Sequence, residues 1–205
     1  MKFTKQLQEQ VAQAIGEIEQ QTDAEVVCVL APRSDDYYYI PALWAALIAL
    51  FSPLLLAFTH YWGHLNTVLL WQFGVFIFVW FLCRWPPILS RIIPKNIRYW
   101  RAANMACRQF MENKLHHTID GSGVLIFVSA QECYVEILTD QGVAQKISDK
   151  QWQSIVSAFI KRVKNNQVHE GFQECIQACG KLLAEHYPAT SDKNELPNKL
   201  VLLES

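Results

Sequence analysis

The sequence has no Asp, Glu, Lys or Arg between Asp36 and Arg84, although its 205 residues include 18 basic and 19 acidic ones. All of the charge lies outside residues 37–83, at a density near the roughly 25% that is typical of soluble domains. This distribution excludes a disordered or fibrous chain and indicates one modest globular domain that contains a membrane-type segment. The net charge of -1 lacks the basic surplus of nucleic-acid-binding proteins, so we expect no nucleic-acid partner.

Motifs that mark common catalytic and metal sites are also missing. The sequence contains no GxSxG, P-loop, HExxH or GxGxxG motif, each of which carries a defined chemistry. The 6 cysteines lie scattered through apolar runs without a CxxC pair, so we expect no zinc site. Free thiols of this kind favour a reducing compartment. The N-terminal residues lack an apolar stretch with a cleavage site, and we expect no signal peptide.

Two apolar runs fill most of the uncharged segment. They cover residues 41–58 and 67–83, and each approaches the ~17–25 residues that an apolar helix needs to cross a bilayer. Because the link between them is short, the pattern predicts an antiparallel transmembrane hairpin, in which Pro53 kinks the first helix as membranes tolerate. The alternative interpretation is an apolar hairpin that is buried in a soluble core or lies at an interface.

Basic residues follow the second span, whereas the link between the spans has none. The positive-inside rule therefore places both termini and the soluble domain in the cytoplasm, and we expect a bacterial inner-membrane protein. These basic residues are also candidates for binding anionic lipid headgroups, at roughly 1 kcal/mol per residue near the surface, or they serve as a topology signal alone. The candidates are Arg84, Arg91, Lys95, Arg98 and Arg101.

The rest of the sequence combines helix and strand patterns. Apolar residues spaced three and four apart predict helices over about 3–20, 96–116, 149–164 and 168–186. Short apolar runs predict strands over 25–30, 123–129 and 133–139, with a further short strand over 143–147. Because the link between the second and third strands is too short for a helix, these two strands are expected to pair antiparallel.

This order of elements predicts an α/β fold in which helices cover a small mixed sheet. Residues 1–36 and 86–188 are expected to form the two parts of one domain, and residues 37–85 form the inserted two-helix hairpin. Residues 189–205 form a C-terminal tail, which is either a loose arm or an added strand.

The soluble part of the sequence resembles the TPM-domain family. The similar stretches are AIGEIEQQTDAEVVCVLAPRSDDY, FMENKLHHTIDGSGVLIFVSAQECYVEILTDQGVAQKI, residues 152–160 and HYPATSDKNELPN. The residues that carry the resemblance together are Thr22, Glu25, Ser34, Tyr37, Thr118, Gly123, Val124, Leu125 and Gly142. The similarity spans nearly all of the chain outside the hairpin.

The resemblance implies an α/β/α sandwich and a role in handling membrane complexes. It also implies that weak acid phosphatase activity or calcium binding is possible, since some members of the family have been assigned them. This chain departs from the family in two respects. Many relatives place the domain outside the cytoplasm, and close relatives read Glu-Arg where this chain reads Glu132-Cys133, so any role of that arginine is lost.

Acidic residues form two candidate cation sites at the two ends of the predicted sheet. Either site could bind calcium or magnesium through oxygen ligands, and phosphate hydrolysis would need such a cation or an activated nucleophile. The alternative is that these residues only form turns and helix caps, which Asp and Ser favour. One set is Asp23, Asp120 and Asp140, and the other, near the membrane, is Ser34, Asp35, Asp36 and Glu132.

These observations favour a TPM-like domain that is anchored in the membrane and faces the cytoplasm. Its expected role is that of a non-catalytic interaction or assembly module, with the lipid bilayer and other membrane proteins as partners. In a variant of this hypothesis, the hairpin itself packs against another protein in the bilayer. The alternative function is a weak metal-dependent acid phosphatase.

Overall fold

The computed structural model describes residues 5–56, 58, 65–118, 120–165, 167–190 and 200–203. The chain divides into two compact units, of which the first comprises Met1–Ser34 and Tyr99–Ser205 and the second comprises Asp35–Arg98. The second unit contains both predicted membrane spans. Residue 57 and residues 59–64, which include most of the link between the spans, lie outside the described part.

The described elements follow in chain order. They are α1 (Lys5–Glu19), β1 (Glu25–Ala31), α2 (Tyr39–Phe51), α3 (Pro53–Leu56), α4 (Leu65–Cys83), α5 (Pro86–Ile92), α6 (Lys95–Glu112), a 3-10 turn (Leu115–His117), β2 (Gly123–Ser129), β3 (Tyr134–Thr139), α7 (Gln141–Lys146), α8 (Asp149–Lys164), α9 (Val168–His186) and β4 (Leu200–Leu202).

The strands of the first unit form one mixed sheet in the order β3-β2-β1-β4. β1 pairs in parallel with both β2 and β4, and β2 pairs antiparallel with β3, which confirms the pairing expected from the short link. The tail therefore contributes a strand through residues 200–202, whereas residues 191–199 lie outside the described part. This α/β architecture with a mixed sheet confirms the predicted fold class.

Helices cover both faces of the sheet, so that β1 and β2 are buried along their whole length. Alternate residues of β1, β2 and β3 pack with α1, α8 and α9 in one core, which includes Phe159 and Phe172. The other residues of β1 and β2 pack with Ala102 and Ala106 of α6 in a second core. The period-2 alternation of a strand sends neighbouring side chains to opposite faces, and the result is an α/β/α sandwich.

In the second unit, α2 packs along α4. Ala45 of α2 is buried in this contact together with Val79 and Cys83 of α4. The first predicted span comprises α2 and α3, and the helix is interrupted at Ser52, directly before Pro53. Proline lacks the N–H that would continue the helical ladder, which accounts for the interruption, while the kink itself stays a prediction.

Two sequence-based predictions differ from the structure. The strand predicted over 143–147 is wrong, because residues 141–146 form the short helix α7, whose first N–H is capped by Asp140. The helix predicted to end at 116 ends at Glu112 and is followed by the 3-10 turn. As expected from its missing N–H, Pro94 lies between α5 and α6.

Candidate functional site

At the carboxyl end of β1, three side chains meet, of which Ser129 and Glu132 are buried and Ser34 is half-buried. The Ser34 hydroxyl lies 2.8 Å from that of Ser129, and the Ser129 hydroxyl donates to the Glu132 carboxylate. The same carboxylate accepts the backbone N–H of Ser34 at 3.2 Å. We call these three residues the serine–glutamate cluster.

The backbone explains why this cluster forms. β1 and β2 run in parallel and end side by side, with Ala31 opposite Ser129. The turn after β2 then follows the turn after β1, since Ala130 N–H donates to Ala31 and Gln131 N–H to Pro32. Carboxyl ends of parallel strands lie at the same edge of a sheet, so Ser34 and Glu132 are brought together, as predicted.

The other two predicted members of this group belong to the second unit. Asp35 accepts the backbone N–H of Tyr37 at 3.2 Å, which is a local turn contact of the kind that Asp favours. Asp36 lies beside it in the same unit. Within the first unit, the carboxyl-end group therefore contains one carboxylate, that of Glu132, and two hydroxyls.

At the opposite end of the sheet, the three predicted aspartates occupy three adjoining turns. Asp23 precedes β1, Asp120 precedes β2 and Asp140 follows β3. Asp23 accepts the backbone N–H of Thr190 at 3.0 Å and also the Thr190 hydroxyl. Asp140 accepts the backbone N–H of Gln141 at 2.7 Å. The Asp23 carboxylate thus stabilises a turn, and the Asp140 carboxylate caps a helix.

The loop before β2 is held against the start of α7. A Cβ atom on Gly142 would lie 2.4 Å from the Asp120 carbonyl oxygen and 2.7 Å from that of Gly121. The left-handed conformation of Gly121, at φ 60°, suits glycine because it has no Cβ. This close approach fixes the positions of the Asp120 and Asp140 turns.

Tyr187 lies at the same end of the sheet. Its carbonyl accepts the Thr22 hydroxyl at 2.6 Å, and the Lys146 ammonium group lies 3.8 Å from its ring centroid. Burial raises the pKa of Tyr187, and the negative charge of Asp120 adds to this effect. Asp120 is therefore near a phenol that stays protonated at neutral pH.

In the described part of the chain, no three His, Cys, Asp or Glu side chains form a group that could hold a metal ion. Calcium takes six to eight oxygen ligands, and carboxylates usually supply several of them. The hydrogen bonds of Asp23 and Asp140 instead serve turns and a helix cap. Binding of calcium or magnesium by Asp23, Asp120 and Asp140, or by Ser34, Asp35, Asp36 and Glu132, stays a prediction.

The buried thiols offer no chemistry either. Cys28, Cys175 and Cys179 lie in the larger core. Burial raises the pKa of Cys28, and a hydrogen bond with Cys175 together with burial raises that of Cys179. Since the thiolate is the nucleophile and metal ligand, these cysteines act as packing residues.

The predicted headgroup-binding residues divide between the units. Arg84, Arg91, Lys95 and Arg98 belong to the second unit and Arg101 to the first. The Arg84 guanidinium lies 5.0 Å from the Tyr38 ring centroid and 5.3 Å from that of Trp80. Arg101 lies 5.1 Å from the centroid of Trp100. Trp and Tyr are enriched at membrane interfaces, but lipid binding by the arginines and Lys95 stays a prediction.

Glu19 is a titratable residue that the sequence analysis did not single out. Its carboxylate accepts the backbone N–H of Val26 at 3.3 Å. Burial raises the pKa of Glu19 to about 7, against the lowering effect of the Val26 N–H, and Glu25 adds a smaller raising effect. The only sequence signal is its place beside the apolar stripe of α1.

We predict that Glu19 makes the domain less stable as the pH rises. The folded state binds the proton of the Glu19 carboxyl group more tightly than the unfolded state does. The stabilisation of the fold by this proton is therefore complete below about pH 4.5 and is lost as the pH rises through about 7. Glu19→Gln should therefore exceed wild type in stability at pH 8, by on the order of 1 kcal/mol after solvent screening. Thermal unfolding at pH 5 and pH 8 measures this, with the exposed Glu185→Gln as control. An equal change for both variants would contradict it.

The fold of the first unit is an α/β/α sandwich around a mixed sheet. The family model of the TPM domain matches residues 92–182, so the chain contains a TPM domain. The fold is also similar to the NMR structure of the BA42 protein from the psychrophilic bacterium Bizionia argentinensis. That likeness has 18% sequence identity and a TM-score of 0.61, and it covers 98% of this chain and 96% of that one. No curated protein matches the sequence.

Proposed function

We propose that a two-helix hairpin anchors this chain in a membrane and holds the TPM domain on the cytoplasmic face. In this proposal the domain is a non-catalytic interaction or assembly module for membrane proteins. The observation that carries the proposal is the exposure of the hairpin. Two helices, Tyr39–Leu56 and Leu65–Cys83, are long enough and apolar enough to cross a bilayer. Only 28% of the first apolar window and 6% of the second are buried inside the protein.

This exposure argues against the alternative of a hairpin buried in a soluble core. A core helix hides its apolar side chains, whereas Leu50, Phe73 and Phe78 are each at least 60% exposed. Contiguous exposed apolar surface on this scale marks a membrane or protein contact. A bilayer covers both helices at once, because it removes apolar side chains from water without a specific partner.

The orientation follows from the charges that flank the hairpin. Arg84 lies directly after α4, and Arg91 lies in the last turn of α5. The described cysteines are all free, and Cys107 and Cys133 are exposed, which suits a reducing compartment. The basic candidates from Arg84 to Arg101 would then contact anionic headgroups of the cytoplasmic leaflet.

The non-catalytic role is supported by what the acidic residues do. Asp23 and Asp140 hold turns through backbone hydrogen bonds, and Glu132 holds two serines. These contacts stabilise the sheet ends and leave no described set of three ligands for a cation. A metal-dependent phosphatase stays the alternative prediction, and the experiment below separates the two.

We predict that calcium, magnesium and manganese leave the thermal unfolding of the detergent-solubilised full chain unchanged. A cation that binds only the folded state would add about 2.7 kcal/mol at a hundredfold excess over its Kd. Asp120→Ala and Asp36→Ala serve as matched variants. A shift in wild type that either variant abolishes, together with turnover of a phosphate ester, would contradict the non-catalytic role and support the phosphatase.

A further inference from the structure

The outer edge of β3 forms one wall of a cleft. β3 is the last strand on its side of the sheet, and the cleft, of about 410 Å³, lies between this strand and α8. Residues 135–139 line one wall, and Asp149, Trp152, Gln153 and Val156 line the other. A cleft that runs along an edge strand can accept an extended peptide as an additional strand.

The register identifies which backbone groups face the cleft. Asp140 N–H donates to the Gly123 carbonyl, and Val124 is opposite Thr139. Hydrogen-bonded and non-hydrogen-bonded pairs alternate along an antiparallel ladder. The N–H and C=O groups of Val135, Ile137 and Thr139 therefore point away from β2, where no described strand pairs with them. Proteins usually blunt such an edge with Lys, Pro or a bulge, and YVEILT contains none of these.

Two buried polar atoms beside the cleft have no hydrogen-bond partner within the described residues. Trp152 is 5% exposed, and its indole N–H meets no acceptor. One carboxylate oxygen of Glu136 is also buried without a donor, while its carboxyl group pairs with the Tyr134 side chain and burial raises its pKa. Burial of an unsatisfied donor or acceptor is destabilising. A ligand that supplies an acceptor for Trp152 and a donor for Glu136 would recover part of this cost.

The charges of the cleft determine which strand fits. Among the described residues, its walls carry two acidic residues, Glu136 and Asp149, and no Lys or Arg. Side chains alternate between the two faces of a strand, and Glu136 lies on the opposite face from Val135 and Ile137, which pack in the α8-side core. A matching strand would place basic side chains beside Glu136 and apolar ones against Val156. A second copy of this chain would add the same two carboxylates and is disfavoured by like-charge repulsion.

We infer that this cleft binds an extended segment of a partner protein, with alternating basic and apolar residues, as a fifth strand on β3. The inference rests on the proposed interaction role and names the class of segment that is recognised. Backbone pairing with Val135, Ile137 and Thr139 supplies the affinity, and Glu136 and Trp152 supply the selectivity.

The test is fluorescence anisotropy with the full chain in detergent micelles and a fluorescein-labelled hexapeptide that alternates Lys and Val. A second peptide with Glu in place of Lys is the charge control. We expect the Lys peptide to bind at least about tenfold more tightly than the Glu peptide. Glu136→Gln should remove most of this preference, whereas Glu174→Gln on the exposed face of α9 should keep it.

Two further variants test the edge itself. Thr139→Pro removes only an outward N–H, because proline is tolerated in edge strands, and it should weaken binding about tenfold, the loss expected from one hydrogen bond of about 1.4 kcal/mol. Trp152→Phe should weaken binding without breaking a hydrogen bond of the free protein, since the indole N–H has no partner there within the described residues. Circular dichroism confirms that each variant is folded.

Absence of Lys-peptide binding would overturn the inference, and so would binding that Thr139→Pro and Glu136→Gln leave unchanged. A dimer of the free chain that Thr139→Pro dissociates would assign the edge to a second copy instead. Neither result bears on the membrane anchor or on cation binding, so failure of this inference is distinguishable from failure of the proposed function.

Discussion

Gly142→Ala is expected to destabilise the TPM domain by about 3 kcal/mol, the upper end of the range for overpacked buried sites. The added methyl group would lie 2.4 Å from the Asp120 carbonyl oxygen and 2.7 Å from that of Gly121. Both are backbone atoms, so no side chain can move aside to make room. The loop before β2 has to separate from α7, which also removes the hydrogen bond from Val143 N–H to Gly121.

Gly74→Ala is the matched control for this prediction. Gly74 lies in α4, and a Cβ atom there would meet no atom of the described residues within 4 Å. Chemical denaturation of the detergent-solubilised chain, followed by circular dichroism, compares the two variants with wild type. If Gly142→Ala changed the unfolding midpoint as little as Gly74→Ala, the close approach of the loop to α7 would be wrong.

Glu132→Ala is expected to cost about 2–3 kcal/mol, because it removes one partner of buried hydrogen bonds and leaves the others unsatisfied. Glu132 is 2% exposed and Ser129 is 1% exposed. The substitution leaves the Ser34 N–H without the acceptor that it has at 3.2 Å. Ser129 retains the Ser34 hydroxyl as a partner, which limits the loss.

The exposed pair of Arg162 and Glu174 provides the contrast. These side chains approach within 2.6 Å but are 40% and 51% exposed, and exposed ion pairs contribute about 0–1 kcal/mol. Glu174→Ala should therefore lower the free energy of unfolding much less than Glu132→Ala in the same denaturation experiment. Equal losses would show that the serine–glutamate cluster is not a buried structural element.

Local pattern predicted most of the fold. Tertiary packing reinforces the apolar runs of β1 and β2 and the wide apolar stripe of α8. The link between β2 and β3 is short, so these two strands could pair only antiparallel. The strand predicted over residues 143–147 was wrong. The alternation of these residues fits a strand, whereas the Asp140 cap and the contact of Gly142 with Gly121 favour a helical turn. That contact joins two separate turns, so the sequence around either turn alone does not predict it.

The sheet ends were predictable only in part. Parallel strands end together, which was enough to group Ser34 with Glu132 and to place Asp23, Asp120 and Asp140 at one end. The bonds that occupy these side chains were not predictable. Asp23 contacts Thr190 across 167 positions of sequence, and Ser129 looked like an ordinary strand end. Sequence showed where acids gather, but the structure showed that hydrogen bonds within the fold engage Asp23, Asp140 and Glu132.

The orientation of the anchored domain is tested most directly by a membrane-impermeant maleimide on intact bacteria that produce the full chain. Cys107 and Cys133 are exposed thiols of the first unit, and Asn66 is an exposed position at the start of α4. With the domain in the cytoplasm, wild type should react only after permeabilisation. Asn66→Cys, combined with Cys107→Ser and Cys133→Ser, should react in intact cells. Labelling of wild type in intact cells, or recovery of the chain in the soluble fraction, would contradict a hairpin-anchored cytoplasmic TPM domain.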